Sequence, residues 1–146
     1  MATALVATAL VATALGTAIV DLESEEVELV DAEPPTAAAA DVTLPLLVAA
    51  DQVGSRIVAV VSRRPPLVVS DDAGRTWREA GGGLPEGTAV TIHRDDPDLL
   101  LYASESRLFL SRDGGRFWRV LEPELIGISA LAFSSEPESR RVVWRA

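Results

Sequence analysis

Residues 41–146 are predicted to form an all-β fold, on three observations. Short runs rich in Val, Ile, Leu, Thr and Trp alternate with Gly, Pro, Asp and Ser turns, and no ten-residue stretch there has helical periodicity. Two segments, SDDAGRTW at 70–77 and SRDGGRFW at 111–118, align without gaps at a separation of 41 residues. Their flanks repeat as well: a short apolar run precedes each (LVV, LFL), another follows (TWRE, FWRV), and an alternating run (TAVTIH, ISALAF) then leads to an acidic proline turn (DDPD, SEPE).

The chain before residue 41 has a different composition. Residues 2–20, ATALVATALVATALGTAIV, carry no charge, and VATAL recurs every five residues. Five matches neither the helical period of about 3.6 nor the strand period of 2. Three readings compete for this apolar segment. One is a signal peptide or membrane anchor, since about 20 apolar residues can span a bilayer, although the preceding Lys/Arg of a signal sequence is missing. The others are a buried or partner-packed helix and a low-complexity tail. Export or anchoring, with membrane contact through residues 2–20, follows from the first reading; a cytoplasmic chain follows from the others. Residues 21–40 read as an acidic segment and then a Pro/Ala linker, EPPTAAAAD, which sets the domain boundary.

From residue 41 the expected strands are 43–50, 56–62, 67–70 and 76–79, then 88–93, 99–103, 107–111 and 117–121, then 126–133 and 140–145. The loop at 81–87 and the turns at 95–98 and 134–139 separate them. In 88–93, Val90 and Ile92 share one face and Ala89, Thr91 and His93 the other. A 41-residue period has the length of a four-stranded propeller blade, about 40–45 residues. The expected architecture is therefore an incomplete β-propeller of about two and a half antiparallel blades, at 43–80, 88–121 and, in part, 126–146.

Charge and composition exclude several function classes. The net charge is −9, but residues 21–33 hold seven acids and no base, while residues 41–146 hold 15 acids and 13 bases. Those bases are scattered rather than striped with aromatics, so no nucleic-acid partner is expected. The absence of cysteine removes disulfides, thiolate zinc sites and thiol catalysis. A single histidine, His93, leaves no multi-histidine metal site. No cofactor is expected.

The repeated positions are Ser70/Ser111, Asp72/Asp113, Gly74/Gly115, Arg75/Arg116 and Trp77/Trp118; Thr76 has Phe117 as its counterpart. This pattern resembles the Asp-box (sialidase-type) repeat, S-x-D-x-G-x-T-W, over residues 41–146. The resemblance implies a structural role for Ser70, Asp72, Gly74, Thr76, Trp77, Ser111, Asp113, Gly115, Phe117 and Trp118. Asp accepts backbone N–H bonds within the turn, Gly takes a conformation costly to other residues, and Trp buries a large ring. It also implies that His93, on a first strand, is a candidate ligand contact. Non-catalytic relatives resembling the photosystem II assembly factor and sortilin-type receptors bind protein partners. A scaffold or interaction module without catalytic residues is therefore expected, with a partner or self-association completing the ring. Two alternatives stand beside it. One is a fragment of a sialidase-like glycoside hydrolase, for which Tyr102 and the acids Asp95, Asp96 and Asp98 are the residues to test. The other is a truncated segment of a larger propeller.

Overall fold

The computed structural model describes residues 8–134. Twelve strands form three four-stranded antiparallel sheets, and the described residues contain no helix. The first two strands correct the expectation of a helical N-terminal segment. β1 (Thr8–Thr13) and β2 (Gly16–Asp21) form a hairpin whose register ends at Thr13 opposite Gly16. Gly16 has a φ of 128°, and the Thr13 hydroxyl donates to its carbonyl at 2.7 Å, closing a loop of Ala14 and Leu15. A period of two survives inside the five-residue repeat. Ala9 and Val11 on β1, with Ala18 and Val20 on β2, share one fully buried face. Thr and Val favour such a pleated surface. Among the described residues no helix is long and apolar enough to cross a membrane.

β3 (Val27–Val30) pairs with β2, so the acidic segment contributes an edge strand. The fourth member of this sheet comes from the far end of the described residues. β12 (Ala130–Ser134) pairs with β1, Thr8 opposite Ser134 and Ala12 opposite Ala130. We call this the terminal sheet. The expected strand at 140–145 lies outside the described residues.

The other two sheets are contiguous in sequence. The leading sheet is β4 (Leu47–Val53), β5 (Arg56–Val61), β6 (Leu67–Ser70) and β7 (Arg78–Ala80), adjacent in that order. The central sheet is β8 (Ala89–His93), β9 (Asp96–Ala103), β10 (Arg107–Ser111) and β11 (Arg119–Glu124), likewise in order. Each repeated segment is the loop joining the third and fourth strands of its sheet.

The central sheet is packed on both faces, which explains the unbroken apolar run LLLYA. Leu99, Leu101 and Ala103 enter one buried cluster with Ala9, Val11, Ala18 and Val20 of the terminal sheet. Leu100 and Tyr102 enter another with Val58, Val60, Leu67 and Val69 of the leading sheet. A strand buried on both sides reads as continuously hydrophobic. The 41-residue offset carries over into β12. Val90 and Ile92 of β8 face the leading sheet; their counterparts Leu131 and Phe133 face the central sheet. The far face of the leading sheet (Ala50, Ala59, Val61 and Val68) is met by Ala40, Val42, Leu44 and Trp77. Part of the segment read as linker and first strand is therefore a cover, and β4 starts at Leu47.

Candidate functional site

The repeated turns hold most of the residues singled out by sequence. In the first, Asp72 Oδ1 accepts the Ser70 hydroxyl at 2.8 Å and the Thr76 N–H at 2.9 Å. Its Oδ2 accepts the Thr76 hydroxyl at 2.6 Å, and Ser70 Oγ accepts the Gly74 N–H at 2.8 Å. These bonds favour the charged form, so Asp72 is held down at about 2, the Thr76 hydroxyl being the largest cause.

The second turn repeats most of this. Asp113 Oδ1 accepts the Ser111 hydroxyl at 2.8 Å, the Phe117 N–H at 3.0 Å and the Arg116 N–H at 3.1 Å. Ser111 Oγ accepts the Gly115 N–H at 2.9 Å. Asp113 is also lowered, chiefly by the Phe117 N–H. Phe117 has no hydroxyl to offer Oδ2, and its ring is 79% exposed. Both turns place two consecutive residues at positive φ: Ala73 and Gly74 at 63° and 93°, Gly114 and Gly115 at 73° and 95°. Ala73 carries the Cβ cost that Gly114 avoids.

The two tryptophans meet different surroundings. Trp118 is half-buried between the central and leading sheets, edge-on to Tyr102 at 5.9 Å, and its Nε1 donates to the Gly115 carbonyl at 3.0 Å. Trp77 packs between the leading sheet and residues 40–44. Among the described residues only the second turn sits on a neighbouring sheet. The Arg78 guanidinium donates to the Gly114 carbonyl and Arg56 to the Pro97 carbonyl, each at 2.8 Å. Arg56 also pairs with Asp71 and Asp98.

The remaining candidates are distributed and individually occupied. Tyr102 is fully buried, and its hydroxyl donates to the Pro85 carbonyl at 2.6 Å. Burial pushes the phenol up, and a Cβ added at Gly87 would overlap its ring and hydroxyl. His93 stacks edge-on against Phe133 at 5.0 Å, while its Nδ1 accepts the Asp95 N–H at 3.1 Å. Asp96 accepts the Asp98 N–H at 3.2 Å. Among the described residues no group of three or more His, Cys, Asp or Glu could hold a metal ion.

Sequence reading passed over Asp51. It is 1% exposed on β4 and reaches across to the central sheet. Its Oδ2 accepts the Ile92 N–H at 2.8 Å and the Thr91 hydroxyl at 3.1 Å; its Oδ1 accepts the Gln52 N–H at 2.8 Å. The Arg94 guanidinium lies 3.3 Å away. A lone acid inside the apolar run LLVAADQV was the available signal, because a buried carboxylate persists only where its oxygens are satisfied.

Comparison with protein-family models, with curated proteins and with solved structures gives no match.

Proposed function

We propose that the chain is a non-catalytic propeller-type scaffold or protein-interaction module, its three sheets being successive blades, two of them with Asp boxes, completed by a protein partner or a second copy. One observation carries this reading: the turn carboxylates, the buried carboxylate and the phenol are spent on structure. Asp72 and Asp113 fasten turns, Asp51 fastens two sheets, and the Tyr102 hydroxyl is buried on a carbonyl. A nucleophile or general acid must reach its substrate, and a fully buried phenol does not. Several large apolar side chains are exposed as well, among them Phe117, Leu29, Ile126 and Val48. Such residues on a folded surface point to partners when they cluster. A screen of the full chain against chromogenic glycosides, sialosides included, tests the reading. No turnover is expected; turnover abolished by Tyr102→Phe or Asp96→Asn would replace it with the hydrolase reading.

A further inference from the structure

The 41-residue offset separates what the two turns keep from what they change. Ser, Asp, Gly, Arg and Trp are kept. Three solvent-facing positions change together. Asp71 becomes Arg112, Thr76 becomes Phe117 and Glu79 becomes Val120, all six being exposed. An acid has become a base and two polar residues have become apolar. Phe117 and Val120 are 79% and 48% exposed. Thr76 gives Asp72 its shortest bond, so Phe117 forgoes a local stabilisation to present a ring to water. A residue that breaks the local rule without a compensating contact marks a functional position. Beside it lies a cleft of about 290 Å³, lined by Leu110, Arg112, Asp113, Phe117, Trp118 and Arg119.

From this we infer that the outer face of the second turn is a docking surface for a second copy of the chain, whose acidic edge strand β3 it receives. The inference rests on the interaction-module reading and names its partner. Charge complementarity selects the occupant. Residues 21–33 hold seven acids, and on β3 Val27 and Leu29 share the inner face of Val20 and Ala18 while Glu28 takes the opposite face. On the opposite face Glu28 lies across from Ile19, and Ile19, Asp21, Glu26 and Glu28 line an acidic cleft that complements the Phe117 ring and the Arg112 guanidinium. The same chemistry already operates within one copy. Arg119 donates to the Leu22 carbonyl at 2.9 Å and pairs with Glu25 at 3.5 Å, and Glu25 accepts the Glu122 N–H at 2.6 Å. This contact sets the β2–β3 turn beside β11, so donor and acceptor surfaces are neighbours. A two-fold pair of copies can then make the contact twice, as an isologous interface requires.

Sedimentation velocity on the full chain tests this. A dimer is expected with a dissociation constant of about 10 μM. It should weaken steadily as salt rises from about 0.01 to about 1 M and the Debye length falls from about 30 to about 3 Å. Phe117→Thr restores the first turn's pattern, so it is expected to melt no lower than the parent chain while weakening the dimer about tenfold or more. Arg112→Glu and Glu28→Arg should each weaken it, and the two combined in one chain should recover part of the loss. Two results would overturn the inference. One is a chain that stays monomeric at about 100 μM, roughly ten times that constant. The other is a dimer that Phe117→Thr leaves unchanged. Neither depends on the glycoside screen, so this surface can fail while the non-catalytic reading stands.

Discussion

The turns at 70–77 and 111–118 share a bonding scheme and differ in what lies beneath them. The second rests on another sheet: Gly114 and Gly115 are buried, Arg78 reaches the Gly114 carbonyl, and Trp118 joins a cluster contributed by two sheets. Among the described residues the first has only 40–44 below it, and its Ala73 and Gly74 are open to solvent or half-buried. Internal hydrogen bonds therefore set the shape of the turn in both, whereas the neighbour sets how much the turn contributes to the fold. The second turn spends less on its carboxylate and more on packing; the first does the reverse.

Removing the rings is the severest test of that contrast. Trp118→Ala is expected to cost about 3 kcal/mol, since a large half-buried side chain is lost from between two sheets. Trp77→Ala should cost less than half as much, its cover being a single extended segment. Urea unfolding of both variants decides it, and equal costs would break the comparison. Next in size is Arg78→Met, which keeps the aliphatic stem and removes the bond to the Gly114 carbonyl. A loss of about 1 kcal/mol is expected in the same assay, carried by the second turn although the residue follows the first.

The carboxylates give the smallest and most specific effect. Asp72 is lowered from 3.8 to about 2, so its contribution is fully present above its unfolded value and is lost as pH falls from about 4 to about 2. Thr76→Val removes the largest cause, and the Asp72 midpoint should move up, narrowing that window. Phe117→Thr should move the Asp113 midpoint further down. Carboxyl NMR titration of the two variants reads both shifts; a Thr76→Val chain with an unmoved Asp72 would show that the Ser70 hydroxyl and the backbone N–H bonds hold it without the Thr76 hydroxyl.

Much of the molecule was legible from residues 47–134 alone. The gapless repeat located both turns, and apolar runs located the strands of the leading and central sheets. Ser70, Asp72, Ser111 and Asp113 were legible because they act within their own turns. The N-terminal strands were not. The five-residue repeat disguised a period of two, and what makes β1 a strand is β12, far away in sequence. Asp51 was missed for the same reason: its partners Thr91 and Ile92 lie about forty residues on. The exposed face of Phe117 showed in the sequence only as one departure from a pattern. Its meaning needed the ring's exposure and the charges beside it.

The pairing of Thr8 with Ser134 has a consequence for how the chain acquires its structure. The leading and central sheets join strands that are near neighbours in sequence, so their loops close at small entropic cost. The terminal sheet spans nearly the whole described chain and raises the contact order, which slows folding. At about 5–20 residues per second on a ribosome, the β1–β2 hairpin waits several seconds or more for β12 to be made. During that interval Ala9, Val11, Ala18 and Val20 lack the central sheet that later covers them. The last of the described strands completes the sheet that the first of them began.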